Sequence, residues 1–144
     1  MLSLRSVKGQ SGGTAKGYRG QYEYLKELQT IFHNFNVTME NNLYNRRKVD
    51  IVIRDAKTTL PLRVFEVTNY SPTVWMSRPR ANRYIRNLNA WKKENPNIYR
   101  AIVISYPYAV DKIQGKRTSK GNSKGVREMF DDEEIEVIVF KEIP

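Results

Sequence analysis

The sequence predicts a single α/β domain with a mixed sheet flanked by helices, and three observations carry the prediction. Apolar residues recur at helical spacing from Gly17 to about Asn34 and again after Pro79. Three β-branched runs lie between those stretches, and a fourth, without polar alternation, follows the second. The expected core order is therefore αβββαβ. At 144 residues the chain fits one domain with one core.

Residues 1–16 include Lys8-Gly9-Gln10-Ser11-Gly12-Gly13-Thr14-Ala15-Lys16, show no apolar period and read as a flexible basic arm ahead of a domain over residues 17–144. Glycine-rich loops can cradle phosphate, but the pattern G-x-x-x-x-G-K-[ST] occurs neither here nor in the later Gly115–Gly125 loop, which excludes a P-loop. In the first helix Tyr18, Tyr22, Leu25, Leu28, Phe32 and Phe35 form the apolar stripe, and Glu23, Lys26 and Glu27 fall on the wet side. Gln21 falls on the apolar face, where a long amide either bonds nearby backbone or is aimed into a site. His33, near the helix end, reads as a capping or surface residue.

Val37–Tyr44, Lys48–Arg54 and Leu60–Thr68 read as strands separated by the polar turns Asn45-Arg46-Arg47 and Asp55-Ala56-Lys57-Thr58. Connections this short predict an antiparallel meander. A loop over Asn69–Pro79 leads to a second helix reaching about Asn95, where Pro96 closes it. Its core stripe is Ala81, Tyr84, Ile85, Leu88 and Trp91, with Arg83 and Arg86 opposite and Arg80 at the margin. Ala101–Ser105 reads as a buried strand, parallel to a neighbour because a helix crosses over to it. A basic loop at Gly115–Gly125, a short helix at Val126–Phe130 and a strand at Ile135–Phe140 complete the chain.

Composition narrows the chemistry. There is no cysteine, which excludes disulfides, thiolate metal sites and cysteine nucleophiles, and the single histidine, His33, excludes a histidine-rich zinc site. Oxygen ligation remains, which suits Mg²⁺ or Mn²⁺. No apolar run spans a membrane and no signal peptide opens the chain, so an intracellular protein of the cytoplasm or nucleoid is expected. The net charge is +10, and the distribution sharpens it: residues 1–127 hold 24 of the 25 Lys and Arg but 8 of the 15 Asp and Glu. Of the remaining acids, all but Glu142 gather at Glu128 and over Asp131–Glu136. So basic a surface, interspersed with Tyr and Asn, suits a polyphosphate partner because each neutralised phosphate releases counterions. Solubility or an acidic lipid headgroup would also account for a basic surface; DNA is the partner expected.

Within the strands, Asp50 interrupts Val49-Asp50-Ile51-Val52-Ile53 and Glu66 interrupts Leu62-Arg63-Val64-Phe65-Glu66-Val67-Thr68. A carboxylate in an apolar run costs free energy unless it is paired, hydrogen-bonded or bound to metal. The two-residue strand period puts Glu66 and Thr68 on the face of Val64, and Asp50 on the face of Lys48 and Val52. If those faces align, Asp50 and Glu66 converge.

With Lys16-Gly17 opening the first helix, Arg47-Lys48-Val49-Asp50-Ile51-Val52 in the second strand and Phe65-Glu66-Val67-Thr68 in the third, the stretch from Lys16 to Tyr106 resembles the PD-(D/E)XK nuclease superfamily, nearest to the archaeal Holliday-junction resolvases. The resemblance implies a restriction-endonuclease-like core and a metal-dependent endonuclease acting on DNA, branched DNA included. It implies that Asp50, Glu66 and the Val67 carbonyl hold Mg²⁺ or Mn²⁺, which polarises the scissile phosphate and lowers the pKa of a water. The pattern departs at two positions: Thr68 stands where the family has lysine, and Gln21 where it has a first-helix carboxylate. Lys48, on the Asp50 face, is a candidate to replace the ammonium. Lys16, Arg19, Arg46, Arg47, Arg80, Arg83, Arg86, Lys116, Arg117, Lys120 and Lys124 are the expected nucleic-acid contacts. The alternative is a nuclease-fold protein that has lost catalysis and binds DNA; a third class is an unrelated α/β binder of RNA or of a membrane surface. Symmetric substrates imply a homodimer, for which Trp75, Met76, Tyr106 and Tyr108 could form an interface or equally belong to the core.

Overall fold

A computed structural model describes residues 12–40, 49–68, 76–105 and 125–141, with side chains from Arg19 onward. Helix α1 (Gly12–Ile31) begins five residues before the expected start. No proline interrupts Gly12–Lys16, so a nucleated helix propagates through it; residues 1–11 of the expected arm lie outside the described residues. The buried stripe of α1 is Tyr24, Leu25 and Leu28. Tyr24 was not on the expected stripe; its ring packs edge-on between Phe65 and Phe140, with centroids 5.7 and 4.9 Å away. Tyr22 is instead half-buried with the Lys26 ammonium 4.9 Å from its ring centre. His33 is exposed in the turn that follows the helix.

Strands β1 (Asn36–Met39), β2 (Ile51–Arg54) and β3 (Pro61–Thr68) form the antiparallel meander. In the β2–β3 turn the Asp55 carboxylate accepts the N–H groups of Lys57 and Thr58, both at 2.9 Å, an Asx arrangement that a short polar side chain makes locally. Helix α2 (Arg78–Asn89) continues as a 3₁₀ turn over Ala90–Lys93. Ser77 caps it by accepting the Arg80 N–H at 3.3 Å, and Pro79 in the first turn gives up a donor that would have no partner there. Arg78-Pro79 thus starts the helix instead of ending the loop. Strand β4 (Tyr99–Ile104) pairs parallel to β3, helix α3 (Val126–Asp132) follows, and β5 (Glu136–Val139) pairs parallel to β4.

The five strands lie in the order β1-β2-β3-β4-β5, two antiparallel pairings followed by two parallel ones. Alternation along the strands gives each face its own core. Phe65, Val67, Ala101 and Val103 meet α1, while Val64, Ile102 and Ile104 meet Ala81, Ile85, Leu88 and the α3 residue Phe130. Met76 is buried in the second layer, so it is core and not interface; Trp75, Tyr106 and Tyr108 lie outside the described residues. Buried Arg100 on β4 donates to the Asn89 side chain, which donates in turn to Glu133 at 3.1 Å and so ties α2 to the end of α3. Among the described residues no helix is long and apolar enough to cross a membrane.

The direction of each helix fixes which groups share an end of the sheet. Because β3 and β4 are parallel, the chain must travel back between them, and α2 does so: just past it, the Asn95 side chain donates to the Pro61 carbonyl at 3.1 Å, at the start of β3. Its first turn is therefore carried toward the Thr68 end. Helix α1 also runs against β3, since Tyr24 meets Phe65 while Phe32, two turns later, lies 5.2 Å from the Arg63 guanidinium.

Candidate functional site

Asp50 and Glu66 are brought together by the β2–β3 register. Ile51 faces Phe65 and Val52 faces Val64, so Asp50, the residue just before β2, lies beside the Phe65–Val67 stretch of β3 that carries Glu66. The ladder departs from regularity there. The Asp50 N–H donates to the Phe65 carbonyl at 3.0 Å, and the Asp50 carboxylate accepts the Val67 N–H at 2.7 Å. A side-chain oxygen thus supplies the acceptor that β2 no longer offers, and aspartate has the reach for it. The Asp50 carbonyl accepts the Glu40 N–H at 3.1 Å, so its backbone is held from both neighbouring strands.

Glu66 is 4% exposed. Burial raises its carboxyl well above the ordinary carboxylate range, and the neighbouring charge of Asp50 raises it further. Hydrogen bonds from the Asn87 side chain and the Asp50 backbone, and the charge of Arg83, act in the opposite direction without overcoming the burial. Two carboxylates in one partly dry corner are satisfied either by a shared proton or by a cation.

The donor set fits a hard divalent cation. Among the described residues no group of three or more His, Cys, Asp and Glu could hold a metal, so the described residues offer two carboxylates here, Asp50 and Glu66. Mg²⁺ is commonly held by one or two carboxylates and keeps several waters. The Thr68 carbonyl accepts the Ser105 N–H from the β4 side at 3.0 Å. Strand groups alternate sides, so the Val67 carbonyl is turned toward β2, the side of Asp50, where it adds a neutral oxygen.

The other candidate residues are placed less uniformly. Thr68 is buried, and its hydroxyl donates to the Val103 carbonyl at 3.2 Å, which commits the proton to β4. Gln21 is half-buried on α1, one turn before Tyr24 and Leu25. The run of α1 puts it at the Thr68 end of the sheet, but α1 packs on the face of Val67, opposite to that of Glu66. The structure therefore does not bring Gln21 into the layer of the pair. Arg19 on α1 and Arg80, Arg83 and Arg86 on α2 are exposed. Lys48, Arg46, Arg47, Lys116, Arg117, Lys120 and Lys124 lie outside the described residues, as does the side chain of Lys16.

Asn87 is the residue that the sequence reading missed. It lies three positions after Tyr84 and four before Trp91, so its spacing marked it as a polar member of the stripe that packs on the sheet. An amide there is notable for the same reason as Gln21 on α1. A separate surface groove of about 320 Å³, lined by Glu23, Lys26, Glu27, Thr30, Ile31 and Lys141, lies along α1. Its lysines already pair with Glu23, at 3.1 Å for Lys26 and 3.6 Å for Lys141, so it offers no free positive charge to a phosphate.

No protein-family model matches the chain, and comparison with curated proteins and with solved structures returns no match.

Proposed function

We propose that the protein is a Mg²⁺- or Mn²⁺-dependent endonuclease of the PD-(D/E)XK type that hydrolyses phosphodiester bonds in DNA, branched DNA included, and works as a homodimer. The observation that carries the reading is the pair itself: Asp50 is bonded to β3 at Phe65 and Val67, on either side of Glu66, and Glu66 is buried with that like charge beside it. A protein that only bound DNA would gain nothing from negative charge held toward phosphate. The αβββαβ order and the mixed sheet agree with it, and so does α2, whose sequence carries Arg78, Arg80, Arg83 and Arg86 and no Asp or Glu.

In this reading Asp50, Glu66 and the Val67 carbonyl hold the cation. Bound there, it would polarise the scissile phosphate and favour ionisation of a water. The residues supply position and charge. The 2.7 Å bond from the Val67 N–H holds the Asp50 carboxylate in place, and the Asn87 side chain holds Glu66. The α2 arginines draw the DNA backbone to this end of the sheet. Water adds to phosphorus, one P–O ester bond breaks, and the two fragments carry the phosphate and a hydroxyl respectively.

A second reading, a DNA-binding protein without catalysis, is favoured by one observation: the Thr68 hydroxyl at the lysine position is occupied by the Val103 carbonyl. Cleavage assays on branched, duplex and single-stranded DNA with Mg²⁺ or Mn²⁺ separate the two. The enzyme reading expects cleavage that Asp50→Ala and Glu66→Ala abolish. Intact binding with no cleavage under any metal would support the second reading, and cleavage surviving both substitutions would exclude the pair as the site.

A further inference from the structure

We propose that Arg83, projected from α2, supplies at the Asp50–Glu66 pair the positive charge that the nuclease pattern carries at position 68, and that it contacts the phosphate under attack. The inference rests on the endonuclease reading and concerns one residue of its site.

The placement follows from two periods running in opposite directions. Glu66 is buried on the α2 face, and the Asn87 side chain is hydrogen-bonded to it, which fixes one point of α2 over one point of β3. From Glu66 to Thr68 the strand advances two residues, about 6.6 Å. From Asn87 back to Arg83 the helix advances four residues, about 6 Å, and i and i+4 lie on one face. Since α2 runs against β3, both steps lead the same way. Arg83 therefore stands over the stretch of β3 that ends in Thr68, and its charge is felt at Glu66. At 3.6 residues per turn Arg86 is rotated about 100° around the helix from Asn87, and Arg83 only about 40°; both are exposed.

The chemistry suits this position. Thr68 offers no cation, and its hydroxyl donates a hydrogen bond to the Val103 carbonyl. The Arg83 guanidinium is exposed, with its centre 5.8 Å from the Tyr84 ring centre, so it can reach a phosphate arriving from solvent. Arginine keeps its proton at any working pH, so it neutralises charge on the phosphate oxygens and moves no proton itself. Its planar fork also matches two phosphate oxygens, which a lysine cannot.

The test compares wild type, Arg83→Ala, Arg83→Lys and Lys93→Ala, each checked by melting; Lys93 is exposed in the 3₁₀ turn beyond the far end of α2. With Mg²⁺ and branched DNA, Arg83→Ala is expected to lose about 10²-fold or more in cleavage rate at saturating DNA. Arg83→Lys should recover part of that, and Lys93→Ala should stay within about threefold of wild type. Binding of the same DNA in EDTA should fall by only a small factor in Arg83→Ala. A wild type that cuts while Arg83→Ala cuts as well as Lys93→Ala overturns this assignment and leaves the endonuclease reading standing. A wild type that never cuts overturns both. The metal alone gives a second readout, from the melting shift against Mg²⁺ concentration. Removing a positive charge beside the pair should tighten the apparent Mg²⁺ affinity by about threefold in Arg83→Ala and not in Lys93→Ala; equal affinities in the two variants would overturn the placement.

Discussion

Asparagine and alanine at position 50 separate the two things that Asp50 does. Its carboxylate accepts the Val67 N–H at 2.7 Å, and its charge raises the cost of ionising Glu66. Asp50→Asn keeps an acceptor of the same shape and removes the charge, whereas Asp50→Ala removes both. Val67 is buried, so alanine leaves its N–H without a protein partner, a cost of about 1–3 kcal/mol. For a domain of this length 1 kcal/mol moves the melting temperature by roughly 4 °C. The asparagine variant should therefore melt about 4–12 °C above the alanine variant in EDTA at pH 8. Against wild type, asparagine loses the charge-assisted part of the bond and gains relief of the repulsion, so it should melt at or above the wild-type temperature. Circular dichroism melts of the three proteins decide the matter. Equal melting of asparagine and alanine would refute the role of residue 50 as the backbone partner of β3. An asparagine variant far below wild type would refute the repulsion. In either variant Mg²⁺ should no longer raise the melting temperature.

Three further outcomes follow from the same geometry. Because burial and Asp50 raise the Glu66 pKa above its ordinary 4.5, the unfolded chain releases this proton first. The contribution of Glu66 is then most favourable below pH 4.5 and is lost as pH rises through the folded-state value. Each pH unit in which only the folded state holds the proton costs about 1.4 kcal/mol, roughly 4 °C of melting temperature. Metal-free wild type should lose that stability relative to Glu66→Gln as pH rises from 5 to 8.5, and a constant difference between the two melting profiles would contradict it. Thr68→Val removes the bond to the Val103 carbonyl and should lower melting by about 4 °C while cleavage stays within about threefold of wild type; a large loss of cleavage would return a catalytic role to the hydroxyl. Phe130→Ala opens a cavity under α2 at a fully buried position and should cost about 3–5 kcal/mol in urea unfolding, against which a loss under 1 kcal/mol would contradict the two-layer core.

Much of this architecture was legible before any coordinates. The meander, the crossover helix and the parallel β4 followed from run lengths and from the absence of polar alternation in Ala101–Ser105. Strand parity alone brought Asp50 toward Glu66. Boundaries were less legible, because helix propagation and strand pairing are settled by neighbours. The glycines at 12 and 13 read as arm yet lie in α1, and the buried tyrosine is Tyr24 because Phe65 and Phe140 flank it. The contacts across layers were not legible at all. Nothing local distinguishes Arg83 from Arg86 or joins Asn87 to Glu66, since both facts depend on the direction of α2 over β3. The bond from Val67 to Asp50 likewise arises only where the ladder departs from its regular pattern.

Metal-dependent cleavage with Glu66 intact and with Glu66→Gln tests the central claim most directly, since glutamine keeps the size of the side chain and removes its charge. Branched DNA incubated with Mg²⁺ should be cut by the wild type, left whole in EDTA, and cut at least about 10²-fold more slowly by Glu66→Gln, with DNA binding unchanged. A Glu66→Gln variant that cuts at the wild-type rate would contradict the assignment of the Asp50–Glu66 pair as the catalytic centre.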